Sequence, residues 1–187
     1  MLRNVTALRG DVILARDGDM GLLVDVYFDD ERWSVRYLVV DTGHVMPERR
    51  VLIAPGLVVP DQPSDRLIRV RLTRNEVERS PHADTTLPVA LQFDLSHQRR
   101  AGADRHLRSS EIVIGYEVQG LDGPAGHLRD FVLDDATWSI ERLVVDTGTW
   151  FGSRVLISPA SVKSIDWPFR KVHVGLERES VRRSPRA

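Results

Sequence analysis

The chain has no cysteine. Disulfide staples, thiolate metal sites and cysteine nucleophiles are excluded together, while the redox compartment stays open. Lysine is nearly as scarce: of 26 cationic residues, 24 are arginine and only Lys163 and Lys171 are lysine. Arginine serves buried and interface ion pairs better, because its planar fork meets a carboxylate with two donors. An excess of either charge is missing too. The formal net charge is −1, with both signs interspersed, so the totals hold no strong nucleic-acid signal and no basic face for anionic lipid. No run approaches the roughly 18 apolar residues of a membrane span, and residues 1–6 carry no apolar signal-peptide core. These absences predict a soluble, cytoplasmic protein without a transmembrane segment. Six histidines (His44, His82, His97, His106, His127, His173) include no His-x-x-x-His or His-x-His pair, so neither a zinc site nor any other metal or cofactor is expected.

What is present is a repeat. The fifteen residues from Asp29 to Gly43, containing Trp33-Ser34 and Leu38-Val39-Val40-Asp41-Thr42-Gly43, return 105 positions later from Asp134 to Gly148, and ten of the fifteen are identical. Upstream, Gly10, Asp17, Gly18, Gly21 and Asp25 recur as Gly115, Asp122, Gly123, Gly126 and Asp130. Downstream, Val51-Leu52-Ile53 and Pro55 recur as Val155-Leu156-Ile157 and Pro159, at an offset of 104. Self-similarity at this scale is duplication of a module. The boundaries read from it are a first module over 1–81, a linker over 82–110 and a second module over 111–187.

Within each copy the local signals are those of short strands. Asp17-Gly18 and Asp122-Gly123 are turn dipeptides, followed by strands expected over 22–28 and 128–133. The polar tetrads 29–32 and 134–137 join two strand-like runs as hairpin loops. The returning strand ends fully apolar in Leu38-Val39-Val40, as though covered on both faces. Residues 51–54 form a short strand stopped by Pro55, and 67–72 alternate between apolar residues and arginine. Thr73 and Glu76 have capping-box spacing and predict one helical turn; Glu177 stands where Thr73 did, so the second cap is weaker. Many short strands with regular turns predict a mainly β chain: two tandem small antiparallel β-barrels with short helical turns and an irregular linker. The apolar loop residues Val45 and Met46, matched by Trp150 and Phe151, form the candidate interaction surface. They either dock against the sister module or a second chain, which makes a homodimer one expected state, or close their own barrel end.

These motifs resemble the PRC-barrel family. Each copy follows its pattern of Gly, Asp-Gly-x-x-Gly, a strand to Asp-Asp, Trp-x-x-x-x-Leu-Val-Val-Asp-Thr and Val-Leu-Ile-x-Pro. Asp84-Thr85, Pro88-Val89 and His106-Leu107-Arg108-Ser109-Ser110 are similar to segments of bacterial tandem members. The resemblance implies a six-stranded, mainly antiparallel barrel. It also implies a part in assemblies, since one relative is a domain of the photosynthetic reaction-centre H subunit and another belongs to a ribosome-maturation factor. It supplies no catalytic residues. The expected function is a non-enzymatic protein-interaction or assembly module of unknown partner, at a membrane-associated complex through peripheral contact in one version. An RNA- or ribosome-associated maturation factor is the alternative.

The sharpest chemical rival is Asp41-Thr42-Gly43 with Asp146-Thr147-Gly148. Two such triplets after apolar strands are what the halves of an aspartic hydrolase present, their carboxylates sharing one proton to activate water. Against it, the supporting apolar-apolar-Gly segment well downstream of each triplet is missing. In the plainer reading the Asp side chain caps a turn that Gly completes. The acidic turns Asp29-Asp30-Glu31 and Asp134-Asp135 offer too few ligands for a hard cation. Gly120, Gly123 and Gly126 lack the Lys-Ser/Thr of a phosphate loop. Arg99, Arg100, Arg105 and Arg108 make the linker locally basic, with Phe93 the one nearby aromatic.

Overall fold

The computed structural model of the protein describes residues 1–43, 49–60, 66–92, 104–148 and 154–187. The first copy runs β1 (Leu2–Asn4), α1 (Val5–Leu8), β2 (Val12–Ala15), β3 (Gly18–Asp29), β4 (Ser34–Asp41), β5 (Arg50–Ile53), β6 (Leu67–Arg69) and α2 (Arg74–Glu78). The second runs β7 (Leu107–Ser109), α3 (Ser110–Val113), β8 (Glu117–Gly120), β9 (Gly123–Asp134), β10 (Ser139–Asp146), β11 (Arg154–Ile157), β12 (Val162–Asp166), β13 (Lys171–Val174) and α4 (Arg178–Arg182). Between the copies lie two 3-10 turns, Ala83–Thr85 and Val89–Leu91. The chain is mainly β.

All thirteen strands among the described residues belong to one curled, open sheet of half-barrel form. Its path is β12-β13-β8-β9-β10-β4-β3-β2-β6, so the copies meet at β10 and β4. Their junction is one antiparallel pair, Ser139 opposite Ser34. Two reciprocal bonds flank it: Val35 N–H donates to the Trp138 carbonyl at 2.8 Å, and Ile140 N–H to the Trp33 carbonyl at 2.7 Å. Since 35 and 33 become 140 and 138 at the repeat offset, a pseudo-twofold axis passes through this point.

The backbone paths match beyond the sheet. The only non-glycine residues with positive φ among those described are Trp33 and Trp138 (54° and 57°) and Arg66 and Arg170 (60° and 52°), two repeat-related pairs. Gly21 and Gly126 are required for another reason. A Cβ on Gly21 would sit 2.1 Å from the Asp41 carbonyl oxygen, and one on Gly126 would sit 2.2 Å from that of Asp146. The glycine-rich turn and the Asp-Thr-Gly end of the next strand are therefore one packed unit, which is why both recur.

Two details depart from expectation. The 67–72 run gives a strand only over Leu67–Arg69; beyond it Val70 N–H bonds the Leu14 carbonyl while Val70 also bridges Val58 and Arg71 N–H bonds the Leu57 carbonyl. The strands after the Asp-Gly turns are also longer than expected, twelve residues each, with register shifts that let them bend. The capping box is present in full: Thr73 and Glu76 bond each other's backbone N–H. At α4, Glu177 makes no side-chain cap bond; Asp122 accepts the Arg178 N–H at 2.7 Å, as Asp17 accepts that of Arg74 at 2.7 Å in the first copy.

The main apolar core is a single cluster from Val5 to Val181, with members from both copies. Phe28 and Phe131 meet inside it at 5.0 Å between ring centroids, and Trp33 stacks on Phe28 at 5.8 Å. Burial of such rings is the largest single contribution a core residue makes.

Candidate functional site

The hairpin tips that join β3 to β4 and β9 to β10 organise the surface beside the pseudo-twofold axis. At the first tip the Asp29 carboxylate accepts the N–H groups of Glu31 and Arg32 at 3.0 and 2.9 Å, and Arg36 at 3.1 Å. Burial pushes this carboxyl up, but the two backbone donors and Arg36 outweigh it and hold its pKa below the ordinary value. At the second tip the Ala136 N–H and then the terminal ammonium hold Asp134 below its usual range. These bonds fold each loop so that a tryptophan, Trp33 or Trp138, closes it in the left-handed region. The acidic tips are thus self-capping turns.

Each tip borders a groove with three walls. The first combines Asp135, Ala136 and Trp138 from the tip of the second copy, Met1 with Arg3 of the arm β1, and Val58, Val59, Pro60 and Leu67 from the first copy. Its enclosed part holds about 190 Å³, below the roughly 300–1,000 Å³ usual for small-molecule sites. A cavity of about 150 Å³ accommodates a benzene-sized ring, so the space suits one inserted apolar side chain. Beside it, a more open shelf of about 450 Å³ bordered by Pro55, Gly56 and Arg71 shares its Val58–Pro60 wall.

The repeat-related groove keeps several of these residues and changes others. Asp30, Arg108 and Val162 match Asp135, Arg3 and Val58, while Glu31, Lys163 and Ser164 stand where Ala136, Val59 and Pro60 do. Arg108 Nε lies 2.6 Å and His106 Nδ1 2.9 Å from the Asp30 carboxylate. Glu31 and Lys163 thus put charge where the first groove has Ala136 and Val59. No family model matches this chain, and no curated protein matches it either.

The two Asp-Thr-Gly aspartates are not brought together. Asp41 and Asp146 each lie seven residues from the Ser34–Ser139 pair along strands that run apart from it. At about 3.3 Å per residue that path is on the order of 40 Å. Each carboxylate is engaged locally: Asp41 accepts the Gly43 N–H at 2.8 Å and Asp146 the Gly148 N–H at 3.0 Å. The Gly148 N–H first, then Arg129, hold Asp146 below the ordinary carboxyl pKa. The shared proton that hydrolysis would need has no counterpart in this geometry.

Val45, Met46, Trp150 and Phe151 lie outside the described residues. Among the described residues no group of three or more His, Asp or Glu side chains could hold a metal ion, and no helix is long and apolar enough to cross a membrane. The groove around Trp138 and Val58–Pro60 was not legible from spacing. Its walls come from both copies, and only tertiary structure joins them.

Proposed function

We propose that the chain is a pair of PRC-barrel-like modules acting through protein contacts, as an adaptor or assembly unit without chemistry of its own. Supporting the barrel reading, each copy orders its strands as β5-β4-β3-β2-β6, or β11-β10-β9-β8-β13. The 3-10 turn after β5 then carries the chain round, so that Val58 bridges Val70 beyond β6. The observation that carries the functional reading is the divergence of the two grooves. A duplicated fold has kept its backbone path, its left-handed tryptophans and its glycine contacts. On one concave surface it has exchanged Ala136, Val59 and Pro60 for Glu31, Lys163 and Ser164. The first groove pairs the apolar Val58–Pro60 wall with a space of about 190 Å³, which suits an anchor side chain inserted by a protein partner.

The test uses the whole protein as bait in extract of its source organism, beside a Val59→Asp variant with matching circular dichroism. The reading expects a partner held in near-stoichiometric amount by the parent and lost from the variant. Equal capture by both, or ribosomal proteins released by raised salt, would contradict it; the second result would favour the RNA-linked alternative.

A further inference from the structure

Each copy lacks an edge that the other supplies. The arm β1 pairs with β9 of the second copy, Leu2 opposite Asp134 and Asn4 opposite Val132. The arm β7 pairs with β3 of the first copy, Leu107 opposite Asp29 and Ser109 opposite Tyr27. Every residue in the second set is one in the first moved by 105 positions, so the exchange is reciprocal. The arms are held by buried acids on the opposite copy. Asp25 accepts the Glu111 N–H at 2.9 Å and the hydroxyls of Ser109 and Ser110 at 2.5 and 2.7 Å. Asp130 accepts the Thr6 N–H at 3.1 Å and the Thr6 hydroxyl. Asp25 and Asp130 are only 4% and 5% exposed, and a buried carboxylate stripped of its donors is costly. Even the backbone links repeat: Asp30 N–H bonds the His106 carbonyl at 3.0 Å, and Asp135 N–H bonds that of Met1 at 3.1 Å.

A contact in which residue i meets j and j meets i is the signature of a two-fold, self-complementary interface. We infer that the surface each repeat offers its sister is a self-recognition interface, fitted to a second repeat of the same kind. This chain is such a dimer joined into one polypeptide. The two repeats are one folding unit, and neither keeps its fold without the other. A lone repeat of about 80 residues would have a marginal core in any case, and here the main core runs through both. The inference concerns what builds the grooves and stands whether or not a partner is found for them.

The experiment inserts a protease site between Gln92 and Asp104 of the full chain and cuts after folding. The halves are expected to elute together, melt in one transition and lose their strand signal together when diluted enough to part. Halves that part while keeping their circular dichroism, or that melt separately, would overturn the inference. A second measurement needs no cut. Asp25→Ala is expected to speed hydrogen exchange at the Glu111 amide about tenfold, and Asp130→Ala to do the same at Thr6. Effects confined to the substituted residue's own repeat would equally overturn it.

Discussion

At the residue scale, Gly21 carries the tightest constraint in the first copy. Its φ of 146° and the Asp41 carbonyl 2.1 Å from where a Cβ would stand leave a side chain no space. Gly21→Ala is expected to cost more than about 3 kcal/mol in urea denaturation, since backbone has to move. Gly56→Ala is the matched control: nothing lies within 4 Å of its Cβ position and its φ is ordinary, so the change is expected within about 0.5 kcal/mol of neutral. Asp29 supplies a pH signature. Its folded pKa lies below the ordinary value, so the folded state binds this proton less readily than the unfolded chain does. The resulting stability is present above the unfolded pKa of about 3.9 and fades as pH falls through the lower folded value. Denaturation between pH 5 and pH 2.5 is expected to show a shallower acid loss in Asp29→Asn than in the parent.

At the scale of elements, the two short helices near the ends of the copies form a natural comparison. α2 has a reciprocal box between Thr73 and Glu76, and α4 has Glu177 with no cap bond of its own. Thr73→Ala is expected to destabilise by about 1 kcal/mol, and Glu177→Thr to stabilise by some tenths to about 1 kcal/mol, both read from urea midpoints. These elements show what local sequence can carry. The box, the Asp-Gly turns, the four-residue hairpin loops and the central strands are written in neighbours a few positions apart and were legible, while β1, β2, β7, β8 and β12 were not. The truncation of β6 was not. Leu67 to Leu72 alternates like one strand, but past Arg69 it is shared: Val70 N–H still bonds Leu14 of β2 while Val70 also bridges Val58 and Arg71 N–H bonds the Leu57 carbonyl. Nor could the left-handed tryptophans be read, because nothing in Trp33 or Trp138 favours that conformation without the Asp29 and Asp134 turns beneath them.

At the scale of the whole molecule, the duplication was plain in the sequence and its consequence was not. An offset of 105 predicts two like backbones, and it is silent on whether they share a sheet. Here they do: Leu2–Asn4 and Leu107–Ser109 cross to the opposite copy, and the grooves exist only because they cross. The absence of native cysteine makes this crossing directly measurable. A Leu2→Cys, Asp134→Cys protein, whose two positions face each other across antiparallel strands, is expected to form an intrachain disulfide on mild oxidation. A Leu2→Cys, Asp29→Cys protein, the pairing that uncrossed copies would make, is expected to stay reduced. Efficient intrachain closure of the second pair and not of the first would contradict the exchange, and with it the shared sheet on which the grooves depend.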